Sequence, residues 1–288
     1  MIVSASYRTD IPAYYGRWFL RRLGAGYCRV ANPHGGKPGI VSLRREDVDG
    51  YVFWTRNPGP FAPALKQLRS RGFSFVVQFT ITGYPRALEA AVQKTRRAAA
   101  QFKSLARRYG PRAAVWRYDP IVFTSLTTAD WHRRNFARLA GALEGATDEV
   151  VVSLMDDYRK TRRNLGIAAR AHGFDPLPLP GNATALLDDL RGIAADRGMR
   201  MTACTEPALG LPGARCIDAG RLSDIAGRAI AAPERGNRPG CLCHESRDIG
   251  AYDSCAQGCV YCYAVENRAR AKQRLAAHDP AGEFLIAP

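Results

Sequence analysis

Short continuous apolar runs alternate with segments of helical pattern along residues 1–207. Polar residues follow each run before the next helical segment begins. Strands that are buried on both faces of a parallel sheet have this unbroken apolar character. The pattern therefore predicts parallel strands, each connected to the next by a helix. The predicted strands are Ile2–Ser6, Gly50–Trp54, Phe73–Thr82, Ala113–Trp116, Glu149–Leu154 and Arg200–Ala203.

The segments between the strands carry helix signals. Pro12 suits the first turn of a helix, and Asp130 lies near the start of a helix that follows Thr128. Strand–helix alternation predicts an α/β fold whose parallel sheet is either open or closed as a barrel. The other predicted helices are Ala13–Leu23, Phe61–Arg71, Leu88–Tyr109, Ala183–Arg197, Asp218–Ala229 and Val265–Ala277.

The length and the apolar content fit one domain of this kind. The chain has 288 residues, which is normal for one α/β barrel, and 46% of them are hydrophobic, which is enough for a full core. We expect a single domain over residues 1–288. Its βα repeats occupy residues 1–207, and a cysteine-rich segment at residues 208–288 completes it.

Polar side chains stand at the carboxyl end of every predicted strand. Ligands bind at this edge of parallel sheets and barrels. Some of these residues could merely cap helices or pair with each other, but the whole set favours a pocket. The residues are Arg8, Thr9, Asp10, Thr55, Arg56, Asn57, Thr80, Thr82, Arg117, Asp119, Ser153, Asp156, Asp157, Cys204 and Glu206.

The formal net charge is +16. Such a charge is compatible with a nucleic-acid partner. It is equally compatible with biased composition, because arginine far outnumbers lysine and the basic residues are spread along the chain. Both interpretations stay open.

No apolar run is long enough to span a bilayer, and the N-terminal residues lack the pattern of a signal peptide. We therefore expect a cytoplasmic protein without a membrane partner. Cytosolic thiols stay reduced, so clustered cysteines indicate metal ligands rather than disulfides.

The last three cysteines have metal-ligand spacing. Cys255, Cys259 and Cys262 form a C-x3-C-x2-C pattern, and Tyr261 stands just before the third cysteine. Soft thiolate ligands favour iron–sulfur clusters or zinc. A closed structural site would use four ligands, so three close ligands predict a redox cluster with one open iron.

This motif resembles that of the radical S-adenosylmethionine (SAM) enzymes, and it is most similar to the version in the spore photoproduct lyase group. Thr9-Asp10 and Thr55-Arg56 also resemble motifs of that group, in which a lysine stands where this chain has Arg56. The resemblance implies a partial parallel (β/α)6 barrel. It also implies that Cys255, Cys259 and Cys262 hold a [4Fe–4S] cluster.

In these enzymes SAM chelates the fourth iron, and the reduced cluster cleaves it to a 5′-deoxyadenosyl radical. A reductant such as ferredoxin or flavodoxin is implied as a partner. Tyr261 is expected to pack on the adenine side of SAM. The other residues implied for SAM are Thr9, Asp10, Arg56 and Arg117, and Asp119, Asp156 and Glu206 are candidates for binding substrate or moving protons.

The position of the motif departs from the radical SAM pattern, because those enzymes normally carry it in the N-terminal half. A circular permutation reconciles the two orders. Ile249–Ser254 is then the first strand, Val265–Ala277 the first helix and Ile2–Ser6 the second strand. We expect Cys255–Cys262 to face Thr9-Asp10 and Arg56 across one barrel mouth, with the last helix beside the first strand.

The chain also resembles, over its whole length, an uncharacterised bacterial family known as domain of unknown function 1848. That resemblance implies no substrate. The residues that carry it are Ser4–Pro12, Phe53–Pro58, Gln78–Tyr84, Trp116–Ile121 and the C-terminal cysteines.

Four further cysteines, Cys204, Cys216, Cys241 and Cys243, lie outside the motif. Four thiolates could bind a second iron–sulfur cluster or a structural zinc, and the cluster is the preferred alternative; plain thiols are the simpler one. His244 could replace one ligand. The remaining cysteine, Cys28, has the character of a small buried hydrophobe.

Two other functions compete with the radical SAM interpretation. The first is a nucleic-acid-binding protein whose cysteines are purely structural and hold zinc or a cluster. The second is a metal-dependent hydrolase on a barrel, which would need histidine or carboxylate ligands at strand ends; none of the five histidines lies at a predicted strand end.

Overall fold

A computed structural model describes residues 1–32, 35–181 and 183–288. Seven of its strands form one parallel sheet in the order β8-β7-β6-β5-β4-β1-β9. Strands β2 and β3 form a separate antiparallel hairpin. The strands are β1 Ile2–Ser4, β2 Tyr27–Val30, β3 Gly39–Ser42, β4 Gly50–Thr55, β5 Ser74–Thr80, β6 Ala114–Ile121, β7 Glu149–Leu154, β8 Arg200–Ala203 and β9 Ser246–Asp248.

Alternate residues of the sheet enter two separate cores. Tyr51 and Phe53 point into the larger core, whereas Val52 between them points into a smaller one. Because both faces are buried, the strands need apolar residues at nearly every position, as the sequence pattern predicted.

Most helices cover the face of the sheet that carries the larger core. Helix α8 contributes Leu222 to the smaller core on the opposite face, and α6 contributes Leu165 to a third cluster at the sheet edge. The helices are α1 Ile11–Tyr14, α2 Gly16–Ala25, α3 Ala62–Ser70, α4 Thr95–Tyr109, α5 Ala129–Leu143, α6 Arg159–His172, α7 Ala183–Ala195, α8 Ala219–Ala226 and α9 Arg268–Ala276.

The predicted α/β fold with a parallel sheet is confirmed. The sheet has seven strands rather than six, and across residues 1–32, 35–181 and 183–288 no pairing joins its edge strands β8 and β9, so no closed barrel forms. No helix in these ranges is long and apolar enough to cross a bilayer.

One predicted helix begins too early, and some elements were not predicted. Leu88–Tyr109 carries a helical pattern, but α4 begins only at Thr95. Backbone pairing with the distant cysteine loop takes the earlier residues: Val260 N donates to Leu88 O at 3.1 Å. This tertiary contact overrides local propensity. The β2–β3 hairpin and α6 are absent from the predictions.

The C-terminal strand lies beside the first strand of the chain, as a permuted order requires. β9 pairs with β1 in parallel, with Ile2 opposite Ser246. The predicted strand Ile249–Ser254 was too late by a few residues. Asp248 accounts for the difference, because it ends β9 by accepting hydrogen bonds from Ser4 Oγ at 2.6 Å and Ser6 Oγ at 2.9 Å.

The chain after α9 returns to the N-terminal helices. Trp18 Nε1 donates to Gly282 O at 3.1 Å, and Leu285 lies in the larger core. This C-terminal segment therefore contacts α2 and the core beneath it, and it also pairs with β2, where Arg29 N donates to Glu283 O at 3.0 Å.

Candidate metal centre at the carboxyl edge of the sheet

The cysteine loop, residues 254–263, follows β9 and lies at the carboxyl edge of the sheet. Ala91 N donates to Gln257 O at 3.0 Å, and a β-bridge joins Glu89 to Cys259. Gly258 has a φ of +72°, a left-handed conformation that glycine adopts without steric cost. The chain can therefore turn sharply between the first two cysteines.

Asp10 joins the cysteine loop to the ends of β1 and β4. Its Oδ2 accepts from Gln257 Nε2 at 2.8 Å and from the Arg56 backbone N–H at 2.9 Å, while Oδ1 accepts from Ala13 N at 3.0 Å. Burial raises the pKa of Asp10, and a hydrogen bond from Thr55 opposes that rise. In the structure Asp10 therefore positions the loop.

A buried ion pair forms the second attachment of the loop. Arg56 Nη1 lies 2.7 Å from Glu89 Oε1, and Nη2 donates to Tyr261 Oη at 2.6 Å. Thr82 and Tyr261 also donate to the same carboxylate oxygen. The side-chain exposures of Arg56 and Glu89 are only 10% and 4%, so both charges are removed from water and neutralised by each other.

The three motif thiols come together beside this network. Burial raises the pKa of Cys255 and Cys262, and raises that of Cys259 to about 12. The Asp10 carboxylate and the neighbouring Cys262 and Cys259 thiolates also raise the pKa of Cys255. A bound metal cation would stabilise the ionised form of these buried thiols, so the three cysteines are suited to bind one.

Backbone N–H groups also act on the thiols. Those of Ala264 and Val265 oppose the burial that raises the pKa of Cys262, and that of Gln257 opposes the burial that raises the pKa of Cys255. Hydrogen bonds to cysteine sulfur are one of the means by which proteins tune iron–sulfur clusters. The donor set therefore fits a thiolate-bound cluster.

As they stand, no three His, Cys, Asp or Glu side chains within residues 1–32, 35–181 and 183–288 are grouped to hold one metal ion. A polynuclear cluster makes a different demand, because it is bound through several metal atoms. Its cysteines need not surround a single point.

Thr9 carries an unused hydroxyl at this edge. The residue is buried, and its Oγ1 has no hydrogen-bond partner among the side chains and backbone groups of the described residues. Since a buried polar atom without a partner costs free energy, this hydroxyl is a candidate ligand contact.

A cavity of about 250 Å³ adjoins the buried ion pair. The unpaired Gln93 Oε1 is a further buried acceptor without a partner in the described structure. The cavity is thus polar as well as concave, which is typical of a ligand pocket. Arg56, which follows β4, lines it together with residues from the end of β5 and the loop before α4, including Thr80, Thr82, Glu89, Gln93 and Lys94.

The ends of β6 and β7 carry a second buried ion pair. Arg117 Nη2 donates to Asp119, whose other oxygen accepts from Ser153 Oγ. Arg117 Nη1 donates to Cys216 Sγ at 2.8 Å. Arg117 therefore faces Cys216, one of the four cysteines outside the motif. Its charge also opposes the burial that raises the pKa of Tyr263, next to the motif.

The other candidate acids lie nearby. Burial raises the pKa of Glu206 to about 7, and its Oε1 accepts from Leu154 N at 2.6 Å. This carboxyl group can gain or lose a proton near neutral pH. Asp156 is more exposed and pairs with Arg238.

Cys204, Cys216, Cys241 and Cys243 also come together, on the face of the smaller core. The Cys204 and Cys216 sulfurs are 3.8 Å apart, and Ile217 N donates to Cys243 Sγ at 3.4 Å. The Cys243 thiol donates to Cys241 and lowers the pKa of Cys241 to about 6.

Three residues that organise the site were not predicted: Glu89, Gln257 and Asp248. Glu89 fell inside a predicted helix, where a carboxylate is ordinary. Gln257 lies within the motif spacer, and Asp248 precedes the strand that was predicted there. Glu89 and Gln257 are buried and Asp248 contacts buried partners, but burial of a polar residue is not visible in local sequence.

Two exposed tyrosines accompany the loop. Tyr252 has two cations near its ring, with Arg8 Cζ at 5.3 Å and Lys160 Nζ at 5.7 Å from the ring centroid. Tyr263 donates to the Tyr7 carbonyl, and its side chain is otherwise largely exposed.

Residues 2–264 match the model of a protein family described as domain of unknown function (DUF1848). No curated protein matches the chain.

Proposed function

The chain belongs to the DUF1848 family, and we propose that it is a radical SAM enzyme. Cys255, Cys259 and Cys262 would hold a [4Fe–4S] cluster. The observation that carries the proposal is the attachment of this cysteine loop to Asp10 and Arg56 at the carboxyl edge of a parallel sheet. This is the edge at which ligands bind in such folds.

The order of the strands supports a permuted order of βα units, in an open sheet that has one strand more than the expected partial (β/α)6 barrel. A strand, the cysteine loop and a helix occur at the end of the chain, and that strand, β9, is the edge neighbour of β1. In the sheet, β9 lies beside β1 in the place that a first strand takes beside a second.

When bound, the reduced cluster supplies the electron that splits SAM into methionine and a 5′-deoxyadenosyl radical. The residues of this chain then have separable tasks. Asp10, Glu89 and Arg56 position the loop, and Tyr261 fixes its last turn through the Arg56–Glu89 pair. The free Thr9 hydroxyl is the candidate contact to a polar group of SAM.

The sheet edge offers groups for the substrate next to the loop. Glu206 is a candidate proton carrier because its pKa of about 7 is poised near neutrality. Asp119 is held by Arg117 and Ser153, so it is oriented rather than mobile. The exposed Asp156 is a substrate-binding candidate.

Anaerobic reconstitution with iron and sulfide tests the proposal. The measurements are iron and sulfide per chain, the visible spectrum, and 5′-deoxyadenosine formed from SAM under a strong reductant, with ferredoxin or flavodoxin as the protein reductants. Cys259→Ala should abolish SAM cleavage and most cluster binding, because one of three ligands is lost.

Cys28→Ala is the matched control. Cys28 is buried in the larger core and far from the motif in sequence, so its loss should leave cluster content and SAM cleavage unchanged. Protein that takes up no iron, or Cys259→Ala protein that still forms 5′-deoxyadenosine, would contradict the proposal.

The nucleic-acid-binding alternative has one supporting observation. Tyr252, flanked by Arg8 and Lys160, combines an exposed aromatic face with positive charge, as surfaces for single-stranded nucleic acid do. Under this alternative Tyr252→Ala would weaken oligonucleotide binding while the protein showed no SAM cleavage. Both results are needed to prefer it; oligonucleotide binding together with SAM cleavage would instead make nucleic acid a candidate substrate.

A further inference from the structure

Four cysteines that the motif does not use converge from three separate parts of the chain. Cys204 follows β8, Cys216 lies in the loop before α8, and Cys241 and Cys243 precede β9. All four belong to the smaller core or pack against it. Neither strand pairing nor helix packing requires a cysteine at any of these places.

The four cysteines are neighbours in the fold. The Cys204 and Cys216 sulfurs contact each other, Cys243 Sγ accepts from Ile217 N next to Cys216, and Cys241 packs against the same core. The 3.8 Å separation of the Cys204 and Cys216 sulfurs is informative. With zinc–sulfur bonds of about 2.3 Å, the edge of a tetrahedral thiolate site is about 3.8 Å.

We propose that Cys204, Cys216, Cys241 and Cys243 bind one tetrahedral metal ion, zinc, in a closed site. Four thiolates fill the coordination of zinc and leave no position for substrate, so the site is structural. It does not depend on the cluster of the proposed function, because none of its ligands belongs to the C-x3-C-x2-C motif.

Two of the four sulfurs accept hydrogen bonds from N–H groups in the described structure. Arg117, which is buried, donates to Cys216 Sγ at 2.8 Å, and Ile217 N donates to Cys243 Sγ. A zinc ion with four thiolates carries a net charge of −2, and the Arg117 cation beside it offsets part of that charge.

A single ion explains the spacing better than a second [4Fe–4S] cluster does. Ligands on one metal atom touch each other, as Cys204 and Cys216 do, whereas the cysteines of a four-iron cluster sit on different irons. His244 is not needed as a ligand. Its Nδ1 is occupied by the Ala219 N–H at 3.2 Å, close to the Ile217 carbonyl.

As they stand, the four sulfurs of the described structure are not grouped to hold one metal ion, so zinc binding requires side-chain rotations that bring them together. Its effect is to clamp residues 241–243 to the carboxyl end of β8. These residues lead directly into β9 and the cysteine loop. Zinc would therefore fix the approach of the C-terminal segment to the sheet.

The test uses the full chain purified without added iron. Zinc and iron per chain are measured first, and then the zinc affinity of the metal-free, reduced protein is determined by competition with a chromophoric chelator. The expected result is about one zinc per chain. Cobalt in place of zinc should give the absorption of a tetrahedral thiolate complex.

Cys241→Ser is the informative variant because Cys241 is only partly buried, so the protein should still fold. Zinc affinity should fall at least about 100-fold, since even partners of metal ligands are typically worth 10–100-fold. Cys204→Ser, also partly buried, should do the same. Cys28→Ala and Cys259→Ala should retain the zinc.

Three results would overturn the proposal. One is protein without zinc whose metal-free form does not take it up. Another is equal loss of zinc in Cys28→Ala and Cys241→Ser. The third is a second iron–sulfur cluster that disappears in Cys241→Ser. Failure of SAM cleavage would leave the zinc result intact, so the two proposals can fail separately.

Discussion

Arg56 joins two distant parts of the chain by a single buried side chain. The resemblance placed its guanidinium on SAM, but in the structure both terminal nitrogens are engaged, one by Glu89 and one by Tyr261. Asp10 has a similar position, with both oxygens occupied. At the residue scale these two groups organise the cysteine loop, and Thr9, another of the expected SAM contacts, has a buried hydroxyl without a hydrogen-bond partner among the described residues.

Replacement of Glu89 by glutamine tests this organising role. The amide keeps the shape of the carboxylate but leaves the Arg56 charge buried and unpaired, which typically costs about 3–5 kcal/mol. We expect the free energy of unfolding, measured in urea, to fall by that amount, and the cluster content after reconstitution to fall with it.

The control is Glu144→Gln, which breaks an ion pair with Arg197 whose side chains are both about half exposed. Such pairs are typically worth less than about 1 kcal/mol. If the two variants lose similar stability, the Arg56–Glu89 pair has no special role.

Helix α5 docks on the sheet through a buried histidine. His132 Nδ1 lies 2.8 Å from Tyr118 Oη of β6, and Nε2 lies 3.1 Å from the Val122 carbonyl. Burial lowers the pKa of His132 to about 4, although the Val122 carbonyl opposes this shift. Helix α5 therefore packs on the sheet with a neutral imidazole between them.

This packing predicts a pH dependence of stability. An unfolded histidine titrates near pH 6.5, so between about pH 6.5 and 4 the unfolded chain binds a proton that the folded chain does not. The contribution of His132 to the free energy of unfolding should be complete above pH 6.5. It should be lost as the pH drops towards 4, and the loss should reach about 3 kcal/mol.

Urea unfolding of metal-free protein at several pH values measures this contribution. His132→Gln should be less stable at neutral pH, but its free energy of unfolding should fall less steeply as the pH drops. His172→Gln, at the exposed end of α6, should keep the wild-type slope. An unchanged slope in His132→Gln would assign the pH dependence to other groups.

Strands and helices can be predicted from the sequence where interactions of their own residues determine them. The apolar runs of β4, β7 and β8 were placed to within a residue because burial on both faces leaves an unmistakable pattern. The Cys255–Cys262 spacing is equally local. The start of α4 and the role of Glu89 were not predictable, because both depend on pairing with residues at the other end of the chain.

At the scale of the whole molecule, the C-terminal segment meets the βα repeats at several places, and three of these contacts involve β9 or the cysteines. β9 pairs with β1, the cysteine loop binds Asp10 and Arg56, and the four-cysteine group contacts the end of β8. The first contact is backbone hydrogen bonding and needs no metal. The other two place thiols where metals would tie the segment down.

Removal of metal should therefore loosen one part of the molecule and not the whole. We expect amide hydrogen exchange in residues 241–243 and 255–262 to accelerate about tenfold or more, which corresponds to a loss of about 1.4 kcal/mol of local stability. Exchange in β5 and β6 should change little, because their hydrogen bonds lie in the centre of the sheet.

Exchange measured by mass spectrometry on loaded and chelator-treated protein separates the two metal sites. Cys241→Ser should loosen residues 241–243 more than the cysteine loop, and Cys259→Ala should do the reverse, because each variant removes a ligand from only one proposed site. Cys28→Ala should match the wild type. Acceleration spread evenly over β5, β6 and the C-terminal segment would mean that the metals stabilise the fold as one cooperative unit, and that the three contacts are not independent.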